Sequence, residues 1–353
     1  MRERGKTPCG FYPSAVKREQ MNLFKKIAIF TITALVAFSC ACTGQTVSYT
    51  IFGGSFWLNS SELAKVGNVN ETCVYDVTLT PAEDALFTAE YTDGTQLKTT
   101  LSTVSEDGQQ YYSFKTELTV KGSYKYDDKV VPIDDSIVSE CVFSGLDKQF
   151  RPLRSSKSVT STSVESYNGA VQFSFFSYNM ATEYSDNAAT VKITPNKTMP
   201  EELKTLVIER TVKETENTYN KLGSPFIDNE LTFFFPRAAE LTSGFSSQYS
   251  SLDALAQKVR KLSLSVSSEK GTQEIKIPEY VYNGSTVKDK TIACFIAQIA
   301  ITGDSFTGTP QTLYFAAAGT KNENKRRLVK IETTLPYLAG TVAYTLHSVS
   351  YSA

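Results

Sequence analysis

YSFKTELTV, residues 112–120, sets Tyr112, Phe114, Leu118 and Val120 on one side of an extended chain and Lys115, Glu117 and Thr119 on the other. Successive side chains of a strand point to opposite faces, so this two-residue period makes one oily face and one wet face. The alternation recurs along the chain. Cys73, Tyr75, Val77 and Leu79 oppose Asp76, Thr78 and Thr80; Val171, Phe173 and Phe175 oppose Gln172 and Ser174. Leu262, Leu264 and Val266 alternate with serines, and Val342, Tyr344 and Leu346 repeat the pattern near the end. A sheet with one buried and one solvated face is antiparallel as a rule. Turn residues separate these runs at Asp93-Gly94, Glu106-Asp107-Gly108, Asn168-Gly169, Lys270-Gly271 and Asn283-Gly284, the signature of hairpins. Roughly fifteen strands follow from these criteria.

Helical pattern is scarce. Ser60–Lys65, Asp228–Phe235 and Leu252–Val259 are short candidates, and none has the length of a crossover helix in an α/β fold. No Pro/Gly-rich linker divides residues 71–353. The chain is therefore predicted to be mainly β: a single large curved antiparallel sheet, a half-barrel, with a few short helices. So many strands in one open sheet must twist or curl.

Residues 21–42, MNLFKKIAIFTITALVAFSCAC, read as an address. Lys25 and Lys26 precede an uncharged run from Ile27 to Phe38, too short for a bilayer span of about 20 residues but fitting a signal peptide. Small residues lead into cysteine at Ser39-Cys40 and Ala41-Cys42. This resembles a bacterial lipobox, whose cysteine is acylated and becomes the first mature residue. Cys42 fits better, with Ala41 before it and Thr43-Gly44 after; Cys40 is the other candidate. The expected organisation is an N-terminal extension over 1–20, a lipoprotein signal peptide over 21–41, a tether over 42–70 holding Trp57, and the β domain over 71–353. The membrane, reached through the N-terminal lipid, is the expected partner, on the extracytoplasmic side.

The whole chain of 353 residues carries 36 Lys+Arg against 37 Asp+Glu; without residues 1–41 it keeps 29 against 35. A net charge of −6 gives no reason to bind nucleic acid. Three cysteines remain beyond the signal: Cys73, Cys141 and Cys294. An odd number allows at most one internal disulfide, and the sequence leaves a Cys73–Cys141 bond and buried free thiols equally open.

No catalytic group stands out. The one histidine, His347, lies in the last strand opposite its apolar face and reads as a surface or hydrogen-bonded residue. Asp127-Asp128 and Asp134-Asp135 lack the spacing of a calcium loop and read as solvated hairpin residues. No Gly-x-Ser-x-Gly elbow is present, Gly5-Lys6-Thr7 lacks the rest of a P-loop, and no feature nominates a glycosidase carboxylate pair. Lys321, Lys325, Arg326 and Arg327 read as a polar hairpin loop able to touch anionic lipid heads. The expectation is a non-enzyme without metal or cofactor.

Residues 206–268 run through two charged alternating strands, a Phe226-Ile227-Asp228-Asn229-Glu230 turn, a short apolar segment ending in Arg237, a polar Ser243-Gly244-Phe245-Ser246 connection and a further strand. This order resembles the concave half-barrel bacterial lipoproteins, the LolA/LppX-like lipid carriers and the related DUF3108-type proteins. GTPQTLYFA at 308–316, Arg326-Arg327-Leu328 and Gly340–Leu346 fit the closing strands of such a sheet. The resemblance covers 72–350 in strand order and 224–245 as a motif. It implies an apolar or lipid-like ligand held in a cavity that helical segments plug. By strand position the lining rings are Tyr112, Phe114, Phe173, Phe175, Phe233, Phe235, Phe295 and Tyr344. A sixteen-carbon acyl chain gains on the order of 10 kcal/mol there before ordering costs, at about 0.8 kcal/mol per buried CH₂. The rival expectation is a surface adhesion or carbohydrate-binding β module with no internal ligand, its sheet serving as scaffold.

Overall fold

The computed structural model describes residues 70–352, apart from 84, 86, 146–149, 168–169, 240, 256, 268, 270, 303–310, 318–325 and 336–339. Cys40, Cys42, the tether and the Ser60–Lys65 helix candidate fall outside the described residues. Among the described residues seventeen strands form one connected sheet. β17 (Gly340–Tyr351) sits in the middle. On one flank it pairs with β1 (Asn70–Thr80), and the sheet continues through β3 (Gln96–Glu106), β4 (Gln109–Tyr126), β5 (Lys129–Phe143), β6 (Pro152–Tyr167), β7 (Ala170–Tyr184) and β8 (Ala188–Pro195) to β10 (Thr215–Asn220). On the other flank come β16 (Leu328–Leu335), β15 (Gln311–Ala316) and the long β14 (Ser285–Thr302). Short β2 (Thr88–Tyr91) and β9 (Ile208–Glu209) add to β4 and β7.

The far edge of β14 is long enough to take two strands end to end. β12 (Lys258–Val266) pairs with its second half and β13 (Thr272–Tyr282) with its first, while β11 (Ser246–Asp253) lies on β12. Val281 and Tyr282 of β13 then meet Ser348 and Val349 of β17 in parallel. That contact closes β13 through β17 into a five-stranded barrel, which removes two sheet edges. The hairpin turns take the residues they need: Asp107-Gly108 and Asn283-Gly284 both hold positive φ at each position, the backbone of a tight two-residue hairpin loop.

Period-two patterning is visible across the sheet. Leu346, Tyr75, Leu97, Leu118, Ile137, Val159 and Tyr178 stand opposite one another on seven neighbouring strands, and all are buried. The other flank adds Tyr344, Ile331, Leu313 and Ala297 to the same face. The mainly β, curved-sheet expectation thus holds, with a closed barrel at one end that hairpin spacing could not reveal.

Helices are reduced to 3-10 turns at Glu201–Leu203, Asn229–Leu231 and Phe235–Ala238 among the described residues. The Leu252–Val259 helix candidate is a hairpin end instead: Leu252 pairs with Val259, and Arg260 Nε meets Asp253 Oδ2 at 2.6 Å. Its apolar spacing mimics a helix, but the serine alternation on either side sets the β register.

The ladder between β5 and β6 stops at Ser136 and Thr160 although both strands run on. Beyond this fork a second, smaller core forms from Tyr124, Val131, Phe173 and Phe175 under Met199, Leu203 and Val207. Tyr124 stacks on Phe173 at 5.5 Å, and Phe87 meets both edge-on.

Candidate functional site

The concave side of the main sheet is occupied by the chain itself. Residues 222–245 cross it as 3-10 turns and extended backbone, burying Leu222, Ile227, Leu231, Phe233, Phe234, Phe235, Ala239, Leu241 and Phe245 in the main core. Phe234 is 0% exposed. Its ring centroid lies 5.4 Å from Phe114, 5.2 Å from Phe143 and 5.5 Å from Phe150, the spacing of favourable aromatic pairs. Phe235 meets Tyr249 at 4.8 Å. The entrance of the segment is stitched to β11, with the Ile227 N–H bonded to the Ser250 carbonyl and the Ser250 N–H to the Pro225 carbonyl.

Two buried polar clusters fasten this plug. At one end Arg237 grips Glu71 of β1 with Nη1–Oε1 at 2.6 Å and Nη2–Oε2 at 3.3 Å. Tyr351 donates to Glu71 Oε2 at 2.7 Å and accepts from Arg327 Nη2 at 2.6 Å. Burial pushes the Glu71 carboxyl up, but the charges of Arg237 and Arg327 outweigh it and bring it down to about 2. Arg326 donates to the Ala239 carbonyl at 2.7 Å. At the other end Lys157 of β6 holds both carboxylate oxygens of Glu230, at 2.8 and 2.9 Å, and both side chains are buried. Asp228 caps the Asn229–Leu231 turn through the Glu230 N–H at 2.7 Å and accepts a hydrogen bond from the Tyr184 hydroxyl. Burial and the Glu230 charge raise the Asp228 carboxyl above its usual range.

Tyr184 connects this second cluster to the surface. Its ring helps line a half-open cavity of 490 Å³ bounded by Arg151, Asp186, Asn187, Ser224 and Phe226. Arg151 Nη2 pairs with Asp186 Oδ1 at 2.6 Å, and the Tyr184 and Phe226 rings stand 5.7 Å apart at 55°.

The eight rings chosen by strand position divide between two clusters. Phe114, Phe233, Phe235 and Tyr344 are buried in the main core, with Tyr112 and Phe295 half-buried against it. Phe173 and Phe175 face the other way, into the small core beyond the fork. Register explains the division: Val159, on the concave face, pairs with Tyr178, an even-numbered residue of β7. The 490 Å³ cavity is lined by none of the eight.

Several polar residues correct the expectations. Asp135 is not a solvated hairpin residue. It is buried at the fork, accepting from the Ser161 hydroxyl at 2.6 Å and the Thr162 N–H at 2.8 Å, and burial lifts its carboxyl to about 7. Arg327 is 2% exposed, not part of a polar loop; Lys321 and Lys325 lie outside the described residues. Cys73, Cys141 and Cys294 are all buried free thiols, which closes the disulfide question against a bond. Burial raises the thiols of Cys73 and Cys294 to about 12. His347 is exposed, 3.0 Å from Asp76 Oδ2, as a surface strand histidine should be.

The signal for two of the buried charges was in the parity. Glu71 shares the face of Cys73 and Tyr75, and Asp135 that of Ile133 and Ile137; Arg327 lies just before β16, where a register shift breaks the parity. A charge on an oily stripe needs a partner, and each has one. Among the described residues no group of His, Cys, Asp and Glu could hold a metal ion, and no helix is long and apolar enough to cross a membrane. No protein-family model matches the chain, and neither a curated protein nor a solved structure matches it.

Proposed function

We propose that the protein is exported, tethered to a bacterial membrane by an acyl chain on Cys42 (with Cys40 as the alternative), and works on the extracytoplasmic side as a non-enzymatic surface adhesion or carbohydrate-binding module. The address in residues 21–42 supports the tether. One observation favours a module over a lipid carrier: residues 222–245 cover the apolar sheet face that an acyl chain would need, and Phe234 packs there among Phe114, Phe143 and Phe150 with no exposed surface. A carrier built on this sheet would have to break the Arg237–Glu71 and Lys157–Glu230 pairs each time it loaded. Breaking a buried pair costs about 3–5 kcal/mol. Organic extraction of the purified protein followed by mass spectrometry tests the reading. No stoichiometric non-covalent lipid is expected, and recovery of one lipid per chain overturns it. Mass analysis of the mature N-terminus decides between Cys42 and Cys40.

A further inference from the structure

The half-open cavity beside Tyr184 has the volume of a small-ligand site, within the usual ~300–1,000 Å³, and its chemistry restricts what it can take. Its walls are unequal. Tyr184, Phe226, Pro152 and Pro225 give it an apolar corner, while Arg151, Asp186 and Asn187 give it a polar rim. The aromatic corner is rigid: the Tyr184 hydroxyl is spent on the buried Asp228, so the ring cannot swing without stripping a partner from a buried carboxyl. The rim is also held, because the Asn187 carbonyl accepts from the N–H groups of Lys221 and Leu222 and the Ser185 N–H bonds to the Ala188 carbonyl.

Charge favours a neutral ligand. Arg151 and Asp186 pair at 2.6 Å on the exposed rim, so the rim carries no net formal charge to select a phosphate, a carboxylate or an amine. An acyl chain would leave the rim's donors and acceptors facing hydrocarbon, at a desolvation cost. What remains is a neutral molecule with an apolar face for the two rings and an edge of hydroxyls for the fork of Arg151, the Asp186 carboxylate and the Asn187 amide. A pyranose has that division: C–H bonds on its faces, hydroxyls around its edge.

We infer that this cavity binds a neutral saccharide, a hexopyranose stacked in the Tyr184–Phe226 corner with its hydroxyls on Arg151, Asp186 and Asn187. This rests on the reading of the protein as a surface module and supplies that module with its ligand class. The preformed walls lower the ordering cost of binding.

The test is saturation-transfer NMR and titration calorimetry on the full-length protein with the methyl glycosides of glucose, galactose, mannose and N-acetylglucosamine, with glucuronate and inorganic phosphate as charged probes. At least one neutral glycoside is expected to bind, and Phe226→Ala and Asp186→Ala should each weaken it about tenfold, or ~1.4 kcal/mol. Asp186 is exposed, so its variant keeps the fold. Binding by none of the four glycosides overturns the inference. So does tighter binding of glucuronate or phosphate, which leaves the surface-module reading standing, and so does glycoside binding that neither variant alters. A lipid recovered by extraction, in contrast, removes the module reading itself.

Discussion

Truncating Phe234 to alanine probes the plug where it is packed tightest. The ring is wholly buried and touches Phe114, Phe143 and Phe150. Removing it forfeits the transfer energy of a buried aromatic side chain, about 1.5–3 kcal/mol. It also leaves a void of up to about 100 Å³, which at ~24 cal/mol per Å³ adds about 2 kcal/mol if the three neighbouring rings do not collapse into it. The expected loss is therefore about 4 kcal/mol, inside the ~3–5 kcal/mol range of Phe→Ala changes in cores. Urea unfolding followed by far-UV circular dichroism reads it, with Phe226→Ala, half-buried in the cavity's apolar corner, as the comparison. A loss below about 1.5 kcal/mol for Phe234→Ala, or one no larger than that of Phe226→Ala, would mean that the segment lies loosely on the sheet. The filled concave face would then be refuted.

Other outcomes follow from the buried polar groups. Glu71→Gln strands two buried guanidiniums and should cost about 3–5 kcal/mol, measured by the same unfolding midpoint; a neutral result would show the cluster to be solvated. Wild-type stability should fall at the acid end between pH 4.5 and about 2, because Glu71 is depressed and its contribution disappears as the carboxyl protonates in the folded state. Asp135 acts in the opposite sense. Its folded-state value of about 7 lies above the ordinary 3.8, so the folded chain holds the extra proton between these values and stability declines as pH rises from about 4 to about 7. Asp135→Asn should remove that slope, and an unchanged pH profile of the midpoint would refute the assignment. Iodoacetamide should leave Cys73, Cys141 and Cys294 unlabelled in the folded protein and modify all three in urea, read by peptide mass spectrometry; labelling under native conditions would show their strands to open.

The strand faces were legible because the period of two is a property of the backbone, and the row from Leu346 to Tyr178 needs no more than that. Phe173 and Phe175 show where it runs out. Alternation says that they share a face but not which side of the sheet it is, and the fork at Ser136 and Thr160 gives both sides a core. The barrel was hidden for a related reason: a parallel contact of two residues between β13 and β17 leaves no local signature. In the plug, Asp228 capping the Asn229–Leu231 turn was readable as a helix start. The turn goes no further because Phe233, Phe234 and Phe235 each find ring or core partners that a continuous helix would point away from the sheet on one side. Of the candidate site, Ser224, Pro225 and Phe226 lay within the 224–245 motif. Tyr184, Asp186 and Asn187 share the β7–β8 hairpin, but Arg151 precedes β6 and Phe226 lies in the plug, and nothing in the spacing joins these three segments.

Hydrogen exchange across residues 229–241 tests the central claim most directly. The N–H groups of Leu231, Phe234 and Arg237 bond to the carbonyls of Asp228, Leu231 and Phe234. If this segment is a permanent part of the core, these amides exchange as slowly as those of β4 and β5 and are released only in global unfolding. Exchange of the segment in seconds, with β4 and β5 still protected, would make it a lid over an accessible hollow and contradict the account.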